Sequence, residues 1–456
     1  MLVCFPDDSI QASLLNEAWM DAVTVVLISC TKIRERILMI SDQDNAGFHY
    51  GYLIVVACCA LCLAPTTLSF NTAGIFFTPV STELGVGKGQ FGFYMTIQYI
   101  AMTLAMPFAG RILAKYDARV ILTTCVILVA GSLMAMSRFT ELYQFYVAGF
   151  CIGAANSILL YLMVPTMIDR WFKDKVGLFV GLCLAFTGIG GIIFNPIGGY
   201  LIDTFGWRTG YLTFGTIAAV IGLPFTIFVI RSFPKDKGLK PYGSTASARA
   251  NDSETALTGI SMGTALKSPA LYFLALYAGM MDIGITLNYY IPSYVSSLGL
   301  SITLASTVAS AVMVGQMFGK VLLGYINDKS VKVGMTVAVG SGIIGIGAIA
   351  LFGTKGIWIL YAGAFMFGIF FAGATVTTSL MTREIFGSRD YSQIFSVVAM
   401  VASFCAAFSA AIWGFIIDST GNYIIALGGG VLLMAITFFI GYVSLHLGKK
   451  LVKTAS

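Results

Sequence analysis

Charge is scarce in this chain of 456 residues: only 11% are Asp, Glu, Lys or Arg, against about 25% in soluble domains. The shortage excludes an ordinary soluble enzyme. Only two histidines are present, His49 and His446, so a metal enzyme would have almost no imidazole ligands. The sequence contains no phosphate loop, catalytic triad or nucleotide motif. A membrane enzyme would need convergent nucleophile and acid–base groups, which are also missing. We therefore predict a protein that is not an enzyme and uses no cofactor.

The cysteines do not form the spacing pattern of a metal-binding site. The nine cysteines lie mostly inside apolar runs, and no CxxC pair comes with partner ligands. We expect neither a disulfide framework nor a bound metal. The net charge of +6 indicates no nucleic-acid partner, because the basic residues lie in short loops between apolar spans.

Apolar sequence is abundant. Hydrophobic residues make up 57% of the chain, and the mean hydropathy is +0.87. Spans of 18 or more nearly uncharged residues can each cross the hydrocarbon core of a bilayer. The sequence predicts an all-α polytopic membrane protein with twelve transmembrane helices, at 51–80, 90–113, 119–137, 142–168, 176–202, 208–231, 269–295, 301–325, 333–353, 357–382, 391–417 and 422–446.

A polar stretch divides these helices into two sets of six. The predicted domains are an N-terminal cytoplasmic extension, a six-helix bundle, a cytoplasmic linker, a second six-helix bundle and a cytoplasmic tail, at 1–50, 51–231, 232–267, 268–447 and 448–456. In the extension, "VTVVLISC" is too short to span, and basic residues follow it at once without a clear cleavage site. We expect a disordered extension or a start codon assigned too early, with Met39 as the true start. Whether residues 1–38 belong to the native protein stays open.

The Lys and Arg residues predict the orientation in the membrane. Only Lys88, Arg138, Arg208 and Lys355 fall on one side, whereas the other side collects the remaining loop cations. Both termini and the central linker are therefore predicted to be cytoplasmic, in a plasma-membrane protein.

The two halves repeat each other at a nearly constant offset. Gly110 aligns with Gly324 and Lys115 with Lys329 at 214 residues, as does "MIDRWF" (Met167–Phe172) with "MTREIF" (Met381–Phe386). "GYLIDTFG" (Gly199–Gly206) aligns with "GFIIDSTG" (Gly414–Gly421) at 215 residues. Such repeats predict two pseudo-symmetric bundles with a substrate site at their interface near the membrane midplane.

Twelve helices, the 6+6 repeat and a G-x-x-x-[D]-[RK] patch after helices 2 and 8 resemble the major facilitator superfamily. The region Asp169–Gly215 is similar to its oxalate/formate antiporter and monocarboxylate transporter branch. The resemblance implies a transporter that works by rocking of its halves, with the two patches as conformational locks. The lock residues are Gly110, Arg111, Lys115 and Arg119 in the first copy, and Gly324, Asp328 and Lys329 in the second. The patch glycines are expected to permit close approach to a neighbouring helix.

Lys320 is the leading candidate for substrate binding. A charge near the bilayer centre is costly, so an ionisable residue there indicates function. Lys320 precedes Asp328 by eight residues, about 12 Å along a helix. In the resembled branch, helix 8 carries a carboxylate-binding arginine in a G-R-x-x-x-G pattern, and "GKVLLG" (Gly319–Gly324) places Lys320 at that position. The alternative is a lysine that snorkels to the cytoplasmic interface.

Asp282 is the only acid well inside a predicted span. It is a candidate for the coupling proton, for pairing with Lys320 or for a purely structural role, and the sequence does not choose among these. The other candidates are neutral. Helices 1, 4, 7 and 10 line the path in the resembled superfamily, which favours Asn71, Tyr161 and Tyr289, and helices 5 and 8 add Asn195 and Gln316. For any single one of these, a hydrogen bond between helices is favoured over substrate binding.

The leading hypothesis is a secondary transporter of a small or medium organic anion, a monocarboxylate, by proton symport or anion exchange. Helix 11 lacks the second cation that a dicarboxylate would need. An exporter of drugs or neutral solutes is the main alternative, and a membrane sensor has no room for a signalling domain. The predicted partners are the anionic substrate and the lipid bilayer, with no nucleic acid, and we expect a monomer.

Overall fold

The computed structural model describes residues 49–172, 176–242, 260–387 and 390–455. The predicted extension with its start at Met39, and positions 243–259 of the predicted linker, lie outside the described residues.

The described chain is helical almost throughout. Its long helices are α1 (Gly51–Leu84), α2 (Lys88–Lys115), α3 (Ala118–Met136), α4 (Leu142–Trp171), α5 (176–205), α6 (207–229), α7 (Pro269–Ser297), α8 (Ile302–Lys329), α9 (Val331–Phe352), α10 (Ile357–Phe386), α11 (Tyr391–Thr420) and α12 (Tyr423–Ala455). Gly206 separates α5 from α6, because its φ of +83° and ψ of 164° are not helical. The prediction of an all-α chain is confirmed.

Ten helices of the described chain are long and apolar enough to cross a membrane, judged by length and composition. The continuous run of α5 and α6 counts as one of the ten, and α2 is not among them. These helices agree with a polytopic membrane protein, and each predicted apolar span is helical except at terminal residues and short turns.

Helices α1 and α7 are both interrupted. In α1, Pro65 lacks the N–H of a regular helix and sits in a π-helical turn over Cys62–Thr66, and a 3₁₀ turn follows at Ala73–Phe76. Helix α7 contains a 3₁₀ turn at Thr286–Tyr289. The two 3₁₀ turns lie at corresponding positions of the sequence repeat.

The described residues form two compact units. The first contains the described parts of Met1–Asn71, Ala105–Gly190 and Leu201–Arg249. The second contains the described parts of Thr72–Leu104, Gly191–Tyr200 and Ala250–Ser456. Segments of α1, α2 and α5 therefore group with the helices that follow the linker.

The two ends of the linker attach to the repeated motif at the ends of α4 and α10. In the first unit, the Tyr242 N–H donates to the Trp171 carbonyl at 2.9 Å, and Tyr242 pairs with Phe172 in an isolated β-bridge. In the second unit, the Ile260 N–H donates to the Phe386 carbonyl at 2.9 Å. Phe172 and Phe386 are repeat counterparts, so the linker is held at equivalent places in both copies.

Candidate functional site

Lys320 shares, by helical spacing, a face of α8 with two residues that contact α5 within the second unit. On that face, Met313 packs against Gly191 and Ser306 packs against Gly199. A Cβ on either glycine would collide with its α8 neighbour. Lys320 follows Met313 by seven residues and Ser306 by fourteen, close to two and four helical turns.

The opposite face of α8 is different. Phe318, Val321 and Tyr325 expose 56%, 76% and 62% of their surfaces, as expected of side chains that meet lipid. Lys320 is half-buried and stands apart from this exposed face. Spacing along the helix therefore assigns Lys320 to the face of α8 that carries Met313 and Ser306.

Gln316 lies one turn before Lys320. It is 5% exposed, and within the described chain its Oε1 has no hydrogen-bond partner. Glycines let α8 and α10 approach closely here, since a Cβ on Gly319 would lie 2.9 Å from the Cα of Ile369. A buried amide oxygen without a donor is suited to receive a hydrogen bond from a bound molecule.

Asp282 is half-buried on α7, one turn after Gly279. A Cβ on Gly279 would lie 2.7 Å from the Cys405 Sγ of α11. The Trp413 indole donates to the Ile283 carbonyl at 3.1 Å, which further ties α11 to α7. The carboxylate is thus held on a helix that packs tightly against α11.

Asn71 and Tyr161 belong to the first unit. The Asn71 Nδ2 donates to the Thr187 carbonyl of α5 at 3.2 Å, beside the interruption of α1. Tyr161 lies in a π-helical turn of α4 (Ser157–Leu162) and is 37% exposed. Asn71 therefore links α1 to α5 through a hydrogen bond, and a role in substrate binding would come in addition to this link.

Tyr289 is part of an aromatic cluster in the second unit. It is 4% exposed and stacks on Phe77, with 5.9 Å between ring centroids and 19° between planes. Tyr290 meets the same Phe77 ring edge-on at 5.2 Å. Gly74 lies directly against the Tyr289 backbone. The cluster joins the end of α1 to the middle of α7.

The second unit contains a contact that the sequence patterns did not predict. The Asp418 carboxylate at the end of α11 accepts a hydrogen bond from the Gly89 N–H at the start of α2, at 2.7 Å. Gly414 packs against Gly89, and the Tyr290 hydroxyl donates to the Ala410 carbonyl. Asp418 lies in the repeat motif Gly414–Gly421, which is the signal that would have drawn attention to it.

The first basic patch is tied into its surroundings. Asp117 begins α3, where its Oδ1 accepts the Arg119 N–H at 3.0 Å and the Ser232 Oγ–H at 2.6 Å. Arg170 of α4 donates to the Leu113 carbonyl of α2 at 3.0 Å. The exposed Lys115 lies over the Tyr116 ring at 5.5 Å. Gly110 and Arg111 lie within α2.

In the second patch, the exposed Lys329 Nζ donates to the Tyr325 hydroxyl at 2.6 Å, and Asp328 is exposed. A Cβ on Gly324 would meet nothing within 4 Å, so the expected close approach at this glycine is wrong here. The close contact lies beyond it, where Gly334 packs against Asn327, whose Nδ2 donates to the Thr377 Oγ1 at 3.2 Å.

The sequence is similar to several curated proteins. It is 23% identical to human monocarboxylate transporter 12, over 82% of this chain and 76% of that one. It is 22% identical to the purine ribonucleoside efflux pump NepI of Salmonella typhimurium, over 85% of this chain and 92% of that one. The match to the MFS-type transporter pynF of Aspergillus niger, at 23% identity, covers 58% of each chain, so this chain spans little more than half of that relative.

The fold is similar to that of a solved bacterial homologue of the human lysosomal transporter Spinster. That likeness has a TM-score of 0.66 at 15% identity and covers 89% of this chain and 99% of that one. The family model of the Major Facilitator Superfamily matches residues 59–349 and 295–454. The chain is therefore a transporter, not an enzyme, and belongs to the Major Facilitator Superfamily.

Proposed function

We propose that this protein is a secondary active transporter of a small or medium organic anion, a monocarboxylate. The observation that supports the proposal is that Lys320 is half-buried and follows Gln316 by one turn of α8, and that the Gln316 Oε1 has no hydrogen-bond partner among the described residues. Lysine is a compact cation that binds a single carboxylate through three rotatable donors. The name of the human relative, monocarboxylate transporter 12, supports the same substrate class.

The transport cycle that we propose is alternating access. Twelve transmembrane helices in two pseudo-symmetric bundles of six would rock about a central site, with both termini cytoplasmic and the basic patches as locks. The glycine contacts Gly74–Tyr289 and Gly89–Gly414, together with the Asp418 cap, support a gate at the ends of the helices away from those patches. Asp282 is the candidate proton carrier for symport, and anion exchange is the other mode.

An exporter of drugs or neutral solutes remains the second candidate. Its support is the neutral character of Asn71, Tyr161, Gln316 and Tyr289, and the name of the purine ribonucleoside efflux pump among the relatives. In that case Lys320 would be dispensable and carboxylates would not compete.

The test is uptake of labelled monocarboxylates into proteoliposomes by the native protein and by Lys320→Ala. Lys320→Ala removes a carboxylate–lysine interaction of about 2–3 kcal/mol. Uptake by this variant should therefore be lower than that of the native protein by roughly 30- to 150-fold. Lys355→Ala is the matched control, because Lys355 is exposed in a loop and lies over the Phe352 ring. Unchanged uptake in Lys320→Ala would refute the role of Lys320 and favour the exporter.

A thermal-shift screen identifies the anion. The purified protein is heated with carboxylic acids, bile acids included, at two pH values. A ligand that raises the melting temperature of the native protein, and not that of Lys320→Ala, binds through this cation.

A further inference from the structure

Pro196 interrupts the hydrogen bonds of α5 within the second unit. Proline has no N–H, so the carbonyl of Ile192, four residues earlier, lacks its usual donor in the helix. Ser310 of α8 supplies a donor instead. Its Oγ lies 3.3 Å from the Ile192 oxygen and 3.2 Å from the Ser306 oxygen of its own helix. Contact between the two helices therefore gives the Ile192 oxygen a share of the Ser310 hydroxyl proton, which the Ser306 oxygen also accepts.

Asn195, the residue before this proline, is a buried polar side chain whose hydrogen bonds are not satisfied by the contact. Its side chain is 1% exposed, yet neither its Nδ2 nor its Oδ1 has a hydrogen-bond partner in the part of the chain that the structure describes. Asn195 lies midway between Gly191 and Gly199. Because these glycines lack a Cβ, Met313 and Ser306 of α8 pack directly against them. Residues four apart share a helix face, so the Asn195 amide is enclosed in the α5–α8 contact.

The two polar groups act in opposite directions on this contact. Leaving a buried amide without partners shifts a two-state ratio by about 5- to 100-fold against the buried state. The Ser310 hydrogen bond shifts it by about 2- to 10-fold toward the packed state. If the helices separate, water can reach the Asn195 amide, the Ile192 carbonyl and the Ser310 hydroxyl alike.

We propose that the α5–α8 contact is a balanced gate, in which Ser310 stabilises the packed state and Asn195 the separated state. In the separated state the Asn195 amide would become a polar group on the substrate path. Transport requires both states to be populated, because a state that is too stable traps the protein. The inference rests on the alternating access proposed above, but not on the identity of the substrate.

In the second half of the repeat, an alanine takes the position of Asn195. At the repeat offset of 215 residues, the counterpart of Asn195 is Ala410 of α11, which is fully buried. The Ala410 carbonyl accepts the Tyr290 hydroxyl beside Gly92 of α2. Position 195 therefore differs between the two halves: an enclosed amide in α5 corresponds to an alanine in α11.

The experiment measures the distance between probes at Tyr200 of α5 and Thr354 after α9, two exposed positions of the second unit. Spin labels are attached through a keto amino acid, which leaves the native cysteines unlabelled. Asn195→Leu and Asn195→Ala should each move the population toward the shorter distance by about tenfold, and Ser310→Ala should move it toward the longer distance by about threefold. Asn195→Leu combined with Ser310→Ala should return it toward the native ratio.

Ile193→Ala is the control, because Ile193 is 44% exposed on the other face of α5. The proposal is overturned if Asn195 and Ser310 variants shift the distances in the same direction, or if neither differs from this control. No substrate is needed, so the distance result stands apart from the uptake test of Lys320.

Discussion

Asp117 illustrates how one carboxylate can fix a loop at the edge of a membrane domain. It is the N-cap of α3, and it also accepts the Ser232 hydroxyl from the segment after α6. Burial alone would raise the pKa of Asp117, but the hydrogen bonds from Ser232 and the Arg119 N–H lower it, as do the nearby arginine charges. The net result is a pKa below the ordinary value for aspartate.

Replacing this carboxylate should destabilise the protein. Asp117→Ala removes an N-cap and a charged hydrogen bond, which should cost about 1–2 kcal/mol and lower the melting temperature in detergent. Asp117→Asn should cost less, since asparagine is also a good N-cap. Equal melting temperatures for Asp117→Ala and the native protein would show that this cap contributes nothing.

The same residue predicts a pH dependence. The pKa of Asp117 is lower in the folded than in the unfolded protein, where it is about 3.9, so its stabilisation is complete above that value and is lost as the pH falls. The difference in melting temperature between native protein and Asp117→Asn should therefore shrink between pH 7 and pH 3.5. A constant difference would contradict the assigned cause.

Asp282 gives a second prediction for a single residue. If it carries the coupling proton, Asp282→Asn should strongly reduce the pH dependence of net uptake while anion exchange persists, because exchange needs no proton release. We expect the uptake gain at acidic pH to fall by about tenfold. Cys405→Ala is the control, since it alters the neighbouring packing of α11 without removing a charge. An unchanged pH profile in Asp282→Asn would assign this aspartate a structural role.

Among the elements, the interrupted helices α1 and α7 are the ones that meet at the aromatic cluster. A Cβ on Gly74 would lie 2.8 Å from both the Cα and the carbonyl oxygen of Tyr289. Backbone atoms cannot swing aside as a flexible side chain can, so the contact must open to admit a methyl group. Glycine at this position therefore allows the two 3₁₀ turns to pack.

Gly74→Ala should weaken that contact. We expect lower uptake, by about tenfold, and faster hydrogen exchange in 73–84, because about 1–3 kcal/mol of overpacking favours separation of the segments. Gly340→Ala in α9 is the matched control, because a Cβ there would meet nothing within 4 Å. Exchange rates equal to those of the control would show that Gly74 does not govern the contact.

At the scale of the whole molecule, the loop charges predict the orientation in the membrane. Tyr116 lies beside the first basic patch, on the predicted cytoplasmic side, and Thr354 lies next to Lys355, on the predicted outer side. A membrane-impermeant maleimide applied to intact cells should label Thr354→Cys, and should label Tyr116→Cys only after permeabilisation. The native protein gives the background from its own cysteines. The reverse pattern would invert the predicted topology.

The compact units and the predicted six-helix halves are different divisions of the chain. Segments of α1, α2 and α5 group with the second half because glycines at 74, 89, 191 and 199 bring them against α7, α8 and α11. The predicted domain boundaries are set by the position of the linker in the sequence. The compact units are defined by which segments pack together in this conformation. Sequence repeats report on duplication, and they do not say which segments are in contact in a given state.

The sequence by itself determined the helical membrane architecture, the repeat and the rarity of charge, because bilayer insertion demands long uncharged helices and makes every embedded ion conspicuous. It pointed to Lys320 and Asp282 for that reason. It did not reveal that the Ile192 oxygen shares the Ser310 hydroxyl proton, or that the Asn195 amide is enclosed without partners among the described residues. Those features depend on which faces of two distant helices meet, and only tertiary packing decides that.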